Sequence, residues 1–407
     1  MLPTKHLRPF LAVVRLGTIA QAGEELRRVQ SAISRSIQEL EESFGVALFE
    51  RGTRHWLLTD AGQILFRHAQ AAFAELQSAC DTLCSLYPAS TPRLRSAPFF
   101  SLAVHERRFE LMFAFAERRH INAAATLVGV SQPAASMALH DLEASVGVPL
   151  FDRAHSGVML NETGQLLLGH VKRALNHLRL ASTEIAARRG VIEGKVVVGA
   201  LPFSRPYVLP AAVGTVLGQH PGLQVQTIEA PMEALISGLH LGDVDFLVGA
   251  MSAKPLEGGL IAEPLISPPM KILVCADHPL TRRRALRLTH ILDARWVLPC
   301  HGTPTREALS TFLARRKLRE PHVAVESSDL SVIRGLLLET DMISAASPQL
   351  FPYELRAGML ATLPVDLPGT ERPIGILRRT QELSSPGAQL VMKEIRRLCA
   401  DLHESAD

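Results

Sequence analysis

Apolar residues recur at three- and four-residue steps through the N-terminal half of this chain, and in the C-terminal half they bunch into short runs. The first pattern predicts amphipathic helices and the second predicts buried strands. Phe109, Met112, Phe113 and Phe115-Ala116 form one helical stripe, and Ala123, Ala124 and Leu127-Val128 form the next. Gly129 breaks the chain. Ser131 then stands where its hydroxyl would cap a third helix, with Pro133 in the first turn. That helix carries Ala135, Leu139 and Leu142 on one side and Gln132, Ser136 and His140 on another. Val148 to Phe151, a polar turn through Arg153 and Gly157, and the return Val158-Met159-Leu160 predict a small wing. Asn161 caps a long helix that reaches about Arg189.

The same pattern occurs earlier, at a constant offset of 102 residues (Ser34 to Ser136) and without a gap. Gln30-Ser31-Ala32-Ile33-Ser34 falls on Gln132-Pro133-Ala134-Ala135-Ser136, and Leu40-Glu41 on Leu142-Glu143. Gly45-Val46-Ala47-Leu48-Phe49-Glu50-Arg51 falls on Gly147-Val148-Pro149-Leu150-Phe151-Asp152-Arg153, and Gly62-Gln63 on Gly164-Gln165. Only two copies occur and each holds several elements, so they read as two related domains rather than an array. Helix, helix, turn, helix is the arrangement whose last helix enters the major groove. Each copy leads into a long amphipathic helix, Thr59 to about Tyr87 and Asn161 to about Arg189, whose stripe must be buried somewhere. Between them the Pro- and Ser-rich segment Tyr87 to Pro98 reads as a linker or loop.

Beyond Gly190 short strands alternate with helices. Lys195 to Gly199, Leu223 to Ile228 and Phe246 to Gly249 read as strands, separated by helices over Leu209 to Leu217 and Met232 to Leu241. A second series runs from Met270 to Ser344, with Pro373 to Leu377 returning to the first lobe before a final helix, Ala388 to Leu402. Such alternation predicts parallel βαβ units in a doubly wound sheet. The expected domains are 1–97, 98–190 and 191–407. The last has one lobe over about 191–266 and 370–407 and another over about 267–369.

The run Val128 to Ser136, with Leu142-Glu143, Gly147 to Arg153 and Gly164, resembles the winged helix-turn-helix of LysR-type transcriptional regulators. The first copy resembles the same module, with Thr59-Asp60-Ala61-Gly62 at the start of its long helix. Gly242 to Gly249 and Ala276-Asp277-His278-Pro279-Leu280 resemble landmarks of that family's effector-binding domain, itself similar to periplasmic solute-binding proteins. The resemblance implies a multi-domain protein: two all-α winged helix-turn-helix modules with long linker helices, then a two-lobed α/β effector domain. It implies a ligand-responsive DNA-binding regulator, forming a dimer or tetramer in which each long helix pairs with a partner chain. RNA polymerase is a further candidate partner.

The candidate DNA-contacting residues are Gln30, Ser31, Ser34, Arg35, Arg51 and Arg54 in the first copy. In the second they are Ser131, Gln132, Pro133, Ser136, His140 and Arg153. Ser and Gln near a helix N-terminus touch base edges or phosphates, and arginines neutralise backbone charge. The copies depart from the family pattern in complementary ways. The first has Val29 in place of the capping Ser and Ser31 in place of Pro, but keeps Arg27, Arg28 and Arg35 around its third helix. The second has the well-formed start but Met137 where the first has Arg35. Whether both contact DNA, or the first serves dimerisation or inhibition, stays open at this point.

Ligands of open α/β sheets sit beyond the carboxyl ends of strands. Three segments meet that description, and they nominate Phe203, Ser204, Arg205, Met232, His301, Thr303 and Thr305 for the effector. Phe203 and Met232 stand where relatives place hydroxyls, and Arg205 is suited to a carboxylate, so the expected effector is an apolar organic acid.

Composition changes this picture little. A net charge of +3 would not by itself suggest nucleic acid. No apolar run approaches the ~20 residues of a membrane helix. The N-terminus lacks the apolar core of a signal peptide, and five cysteines without CxxC spacing predict reduced thiols in the cytoplasm. No GxSxG, P-loop or HExxH arrangement and no metal-ligand spacing occurs, so an enzyme of solute-binding fold is the weaker alternative and no cofactor is expected.

Overall fold

A computed structural model describes residues 4–50, 56–101, 106–154, 157–251, 259–283, 285–379 and 384–404. Arg51 and Arg54, the wing candidates of the first copy, lie outside the described residues. The chain divides into two compact units, one formed mainly by residues 1–194 and the other by 195–240, 244–381 and 387–407.

In the first unit, α1 (Leu7–Leu16), α2 (Ile19–Leu26) and α3 (Gln30–Phe44) precede a backbone bridge between Phe49 and Leu58 and the long α4 (Asp60–Leu86). After α5 (Thr91–Ser96) the order recurs. α6 (Glu106–Arg118), α7 (Ile121–Val128) and α8 (Gln132–Val146) lead to a hairpin of β1 (Phe151–Ala154) and β2 (Gly157–Leu160), then to α9 (Glu162–Arg188). The bridge Phe49 to Leu58 matches the β1–β2 pair Phe151 to Leu160 at the 102-residue offset.

The repeated residues make repeated bonds. Glu41 Oε1 accepts from Leu48 N (2.7 Å) and Phe49 N (3.4 Å), and Glu143 Oε1 accepts from Leu150 N (2.7 Å) and Phe151 N (3.3 Å). Each carboxylate thereby ties the third helix to the start of its wing. The Thr59 hydroxyl accepts from Gly62 N and donates to Ala47 O, while Asn161 accepts from Gly164 N and donates to Pro149 O. Glycine is required next to these caps, because a Cβ on Gly62 would lie 2.1 Å from Leu48 O and one on Gly164 2.3 Å from Leu150 O.

The segment expected to be a linker is folded. Short 3₁₀ turns at Pro88–Ser90 and Pro98–Ser101 flank α5, and Leu94 and Phe99 are fully buried in the same core as the long helices. Its prolines start turns and helices here rather than freeing the chain.

α4 and α9, expected from the resemblance to seek a partner chain, pack antiparallel against each other within one chain. Arg67, near the start of α4, binds Glu184 near the end of α9 (2.7 Å), and Tyr87, just past α4, bonds Thr163 at the start of α9 (2.9 Å). In the middle, Glu75 binds His170 (2.8 Å) and Arg173 (3.0 Å). The buried stripe Leu65, Ala69, Ala72, Leu76, Ala79 and Leu83 faces Leu167, Val171, Ala174, Leu178, Ala181 and Ile185. Cys80 lies in this core, where burial and then the neighbouring Cys84 thiol push its pKa to about 11.

The second unit holds a five-stranded sheet and a smaller lobe. β3 (Gly194–Ala200), α10 (Val208–Gln219), β4 (Leu223–Ile228), α11 (Met232–Leu241), β5 (Phe246–Ala250) and β6 (Leu260–Ile266) come first. β7 (Met270–Cys275), β8 (Trp296–Leu298), α12 (Pro304–Arg315), β9 (Val323–Glu326), α13 (Leu330–Glu339), β10 (Ser344–Ala346), α14 (Pro352–Arg356) and β11 (Leu360–Leu367) follow. β12 (Ile374–Arg379) and α15 (Pro386–Glu404) come last among the described elements. The larger sheet has the order β4-β3-β5-β12-β6, the smaller β10-β7-β11, and β8 pairs with β9.

The expectation of purely parallel sheets is corrected. β3–β5 and β8–β9 are parallel, but β12 runs antiparallel to β5 and β6, and β7 antiparallel to β10 and β11. β6 and β11 were not anticipated; half-exposed and interrupted by Pro264 and Pro364, they lack the continuous apolar runs of the central strands. The two landmark segments are structural. Asp245 accepts from Val197 N (2.7 Å), holding β5 to β3, and His278 bonds both Leu280 N and Asp341 O (3.1 Å each).

Gly164→Ala should therefore destabilise the first unit by about 1–3 kcal/mol through overpacking. Gly214→Ala, on α10 with open space around it, should stabilise by about 0.5–1 kcal/mol. Thermal melts of the two variants check both signs.

The helix pair also predicts a pH response. Burial, opposed by the Glu184 carboxylate, holds His68 below the ordinary 6.5. As pH falls through 6.5 the unfolded chain takes a proton that the folded chain refuses, so stability falls. Burial raises Glu75 and Glu184, but bonds from His170 and Arg173, and from Arg67 and His68, outweigh it and hold both below 4.5. Their contribution is present above that value and is lost as pH falls further. The melting temperature should drop between about pH 7 and 5 and again below about 4.5, and His68→Gln should flatten the first part. His6, lowered by burial in the same way, leaves a residual slope.

Candidate functional site

α3 and α8 each keep an apolar face in the core and turn the other to solvent. Ile33, Ile37 and Leu40 are buried on α3, and Ala135, Leu139 and Leu142 on α8. On the outer face of α3 stand Gln30, Ser31, Ser34, Arg35 and Gln38, all exposed. On α8 stand Ser131, Gln132, Pro133, Met137 and His140, exposed, with Ser136 half-buried. The structure thus groups the helical candidates of each copy on one exposed helix face, apart from the wing arginines.

The starts differ as their residues dictate. Ser131 caps α8 by accepting from Ala134 N (3.4 Å), and Gln132 donates to Ser136 Oγ (3.3 Å). Val29 gives α3 no side-chain cap, so its first N–H groups stay open to water or an anion. Arg35 Nε bonds Glu39 (3.1 Å), whose other oxygen meets His6 (2.7 Å), yet the Arg35 side chain is 81% exposed. An ion pair so exposed is worth little. Arg153 lies in β1, its backbone paired with Val158.

In the second unit the expected effector residues fall into two clusters. Ser204 is fully buried and its hydroxyl donates to Leu201 O (2.9 Å), so it closes its own turn and presents nothing to a ligand. Phe203 is buried beside it. Arg205 donates from Nε to Ala200 O (2.8 Å) and pairs through Nη1 with Glu229 (3.0 Å), which already supplies a carboxylate. Met232, with Leu201, Ile236 and Leu247, lines an apolar cavity of about 30 Å³, room for water but not for an organic ligand.

The second cluster surrounds the start of α12. Thr303 caps it, accepting from Arg306 N (3.4 Å) and donating to Cys300 O (2.7 Å). Exposed His301 lies 3.4 Å from both Glu326 Oε1 and Arg306 Nη2. Thr305 accepts from Arg372 Nη1 (2.5 Å), and burial holds the Arg372 pKa below its ordinary value. Sequence reasoning missed both arginines. Arg306 is 3% exposed, bonds Glu320 through Nη2 (3.2 Å), and leaves Nε and Nη1 without partners among the described residues. Nothing in a Thr-Pro-Thr-Arg helix start signals that its arginine turns inward.

A model of the LysR substrate binding domain matches residues 189–400. A model of the lysR family's bacterial regulatory helix-turn-helix protein matches residues 4–63 and 107–165. The chain belongs to the LysR family. It is a DNA-binding regulator of transcription with an effector-binding domain, and its relatives are named regulators rather than enzymes. It is 39% identical over 396 residues to the HTH-type transcriptional regulator GalR of Pseudomonas putida, covering 97% of each chain. The uncharacterized HTH-type transcriptional regulator YdcI of Escherichia coli is 31% identical over 300 residues, 73% of this chain and 97% of YdcI. The structure of a full-length OxyR variant from Pseudomonas aeruginosa superposes with a TM-score of 0.53 at 23% identity, over 72% of this chain and 97% of OxyR, and so shares the fold. Among the described residues no helix is long and apolar enough to cross a membrane.

Proposed function

We propose that this family member grips double-stranded DNA through a duplicated winged helix-turn-helix, within residues 1–97 and 98–190, and senses a small organic anion with residues 191–407. The observation that carries the DNA half is the pair of solvent-facing helix starts, α3 and α8, with Gln and Ser at the same offset positions. The match of GalR over nearly the whole chain, against YdcI over 300 residues, supports a second module as a shared feature of the longer members. Self-association of whole chains and contact with RNA polymerase belong to the same reading as family properties.

Gln132→Ala with Ser136→Ala should cost about 1–3 kcal/mol each at a specific upstream site, read by fluorescence anisotropy across a salt series. Gln30→Ala with Arg35→Ala is the parallel test of α3, and loss of Arg35 should also lower the salt slope. A second reading, in which the first copy serves only to cover α9, draws on the missing cap of α3 and the Arg35–Glu39 pair. Unchanged affinity and slope in the α3 variant would favour it.

For the effector, the buried and partly unpartnered guanidinium of Arg306 is the supporting observation. A carboxylate would supply an acceptor to one of the two open positions, Nε or Nη1. Thermal-shift screening of carboxylic acids against the full chain should yield hits that raise the melting temperature. The hits should be lost in Arg306→Lys, which keeps the charge but not the fork. Hits that survive in that variant would move the anion site elsewhere.

A further inference from the structure

We infer that one chain carries a complete, internally paired DNA-reading head, and that its target is a site with two unlike half-sites. The inference rests on the reading above that both α3 and α8 meet DNA. It adds what holds the two helices as a pair and what sequence they require together.

The pairing of α4 with α9 has the form of a two-fold contact. Under the 102-residue offset, the contact of His68 with His177 (ring centroids 6.0 Å apart) is the mate of the contact between Glu75 and His170. Ala72 and Ala174, fully buried equivalents, lie midway between these contacts in sequence, and Leu65/Leu167, Leu76/Leu178 and Ala79/Ala181 repeat the equivalence along the stripe. Self-complementary contact of this kind is what joins two subunits in a symmetric dimer. Here both sides come from one chain.

Two observations favour pairing in cis. The connector from Tyr87 to Ser101 is packed, with Leu94 and Phe99 buried, so it holds α4 and the second copy at high effective concentration. The charges across the helices are also unlike. Glu75 of α4 takes His170 and Arg173 of α9, and Glu184 of α9 takes Arg67 and His68 of α4. Pairing α9 with a second α9 in the same register would set His170 and Arg173 against His177, with no carboxylate in the place of Glu75. Arg173 would lose the carboxylate it holds in Glu75, and that loss favours α4 as the partner.

The paired heads are not copies of each other. Gln30 and Ser34 match Gln132 and Ser136, but Arg35 is answered by Met137 and Gln38 by His140, all on the outer faces. Arginine is matched to the O6 and N7 of guanine, whereas a methionine offers only apolar contact, as to the methyl of thymine. The half-sites should agree under the Gln and Ser pairs and diverge beside them.

The full chain is tested by selection from a random duplex library. The expected winner is a bipartite, non-palindromic sequence. Gln132→Ala with Ser136→Ala should relax one half only, Gln30→Ala the other half only, and Arg35→Met should draw the two halves closer. A palindrome in which one variant relaxes both halves alike would overturn the inference and leave DNA binding standing, whereas absence of any selected sequence would instead sink the proposed function. Cis pairing has its own readout. Glu184→Arg should weaken binding by about fivefold, and Arg67→Glu in the same chain should restore it. A mixture of the two single variants should not, and restoration in the mixture would show pairing between chains.

Discussion

The first unit depends on one burial: the apolar stripe of α4 against that of α9. Each fully buried Leu or Ile contributes about 1.5–3 kcal/mol relative to exposure. The stripe holds Leu65, Leu76, Leu83, Leu167, Leu178 and Ile185, with alanines between them that let the helices approach closely. The positions of α3 and α8 follow from this contact, because each wing is bonded to the start of its long helix through Thr59 or Asn161. Removing the first copy would expose the α9 stripe, so the copies are a single folding problem rather than separable beads.

Charge decides which helix pairs with which, and burial decides how firmly. Histidines inside an interface cost little while neutral, and carboxylates there are kept ionised by the cations they hold. His68, held below its ordinary value by burial, and Glu75 and Glu184, held below theirs by the groups they bind, satisfy these conditions near neutral pH. The same groups make the interface sensitive to acid. On the outer faces the balance reverses: water screens Arg35 and Glu39, so that pair adds little to stability.

The second unit applies the same rule to a ligand. Polar groups near the strand ends are mostly committed: Ser204 to its own turn, Arg205 to Glu229, Thr303 to a helix cap. An uncommitted buried donor is rarer and more telling than a surface one, since burying a polar group without a partner is costly. Arg306 meets that description.

The sequence by itself determined the local elements. Ser131, Thr59 and Asn161 mark helix starts, Gly45 and Gly147 mark ends, and apolar periodicity sets the lengths of α4 and α9, because these signals act within a few residues. The offset of 102 residues, with Glu41/Glu143 and Gly62/Gly164, was visible for the same reason: each serves contacts within its own copy. Tertiary structure alone decided what covers a surface. The amphipathic stripe of α4 is equally compatible with a second chain, and only the packed connector and the opposed charges select α9. The proline-rich segment around Leu94 read as loose because its two anchors are too few to make a pattern. Whether a guanidinium such as Arg306 turns inward, or a hydroxyl such as Ser204 is spent on its own backbone, depends on neighbours far away in the chain. Periodicity carries no information about them.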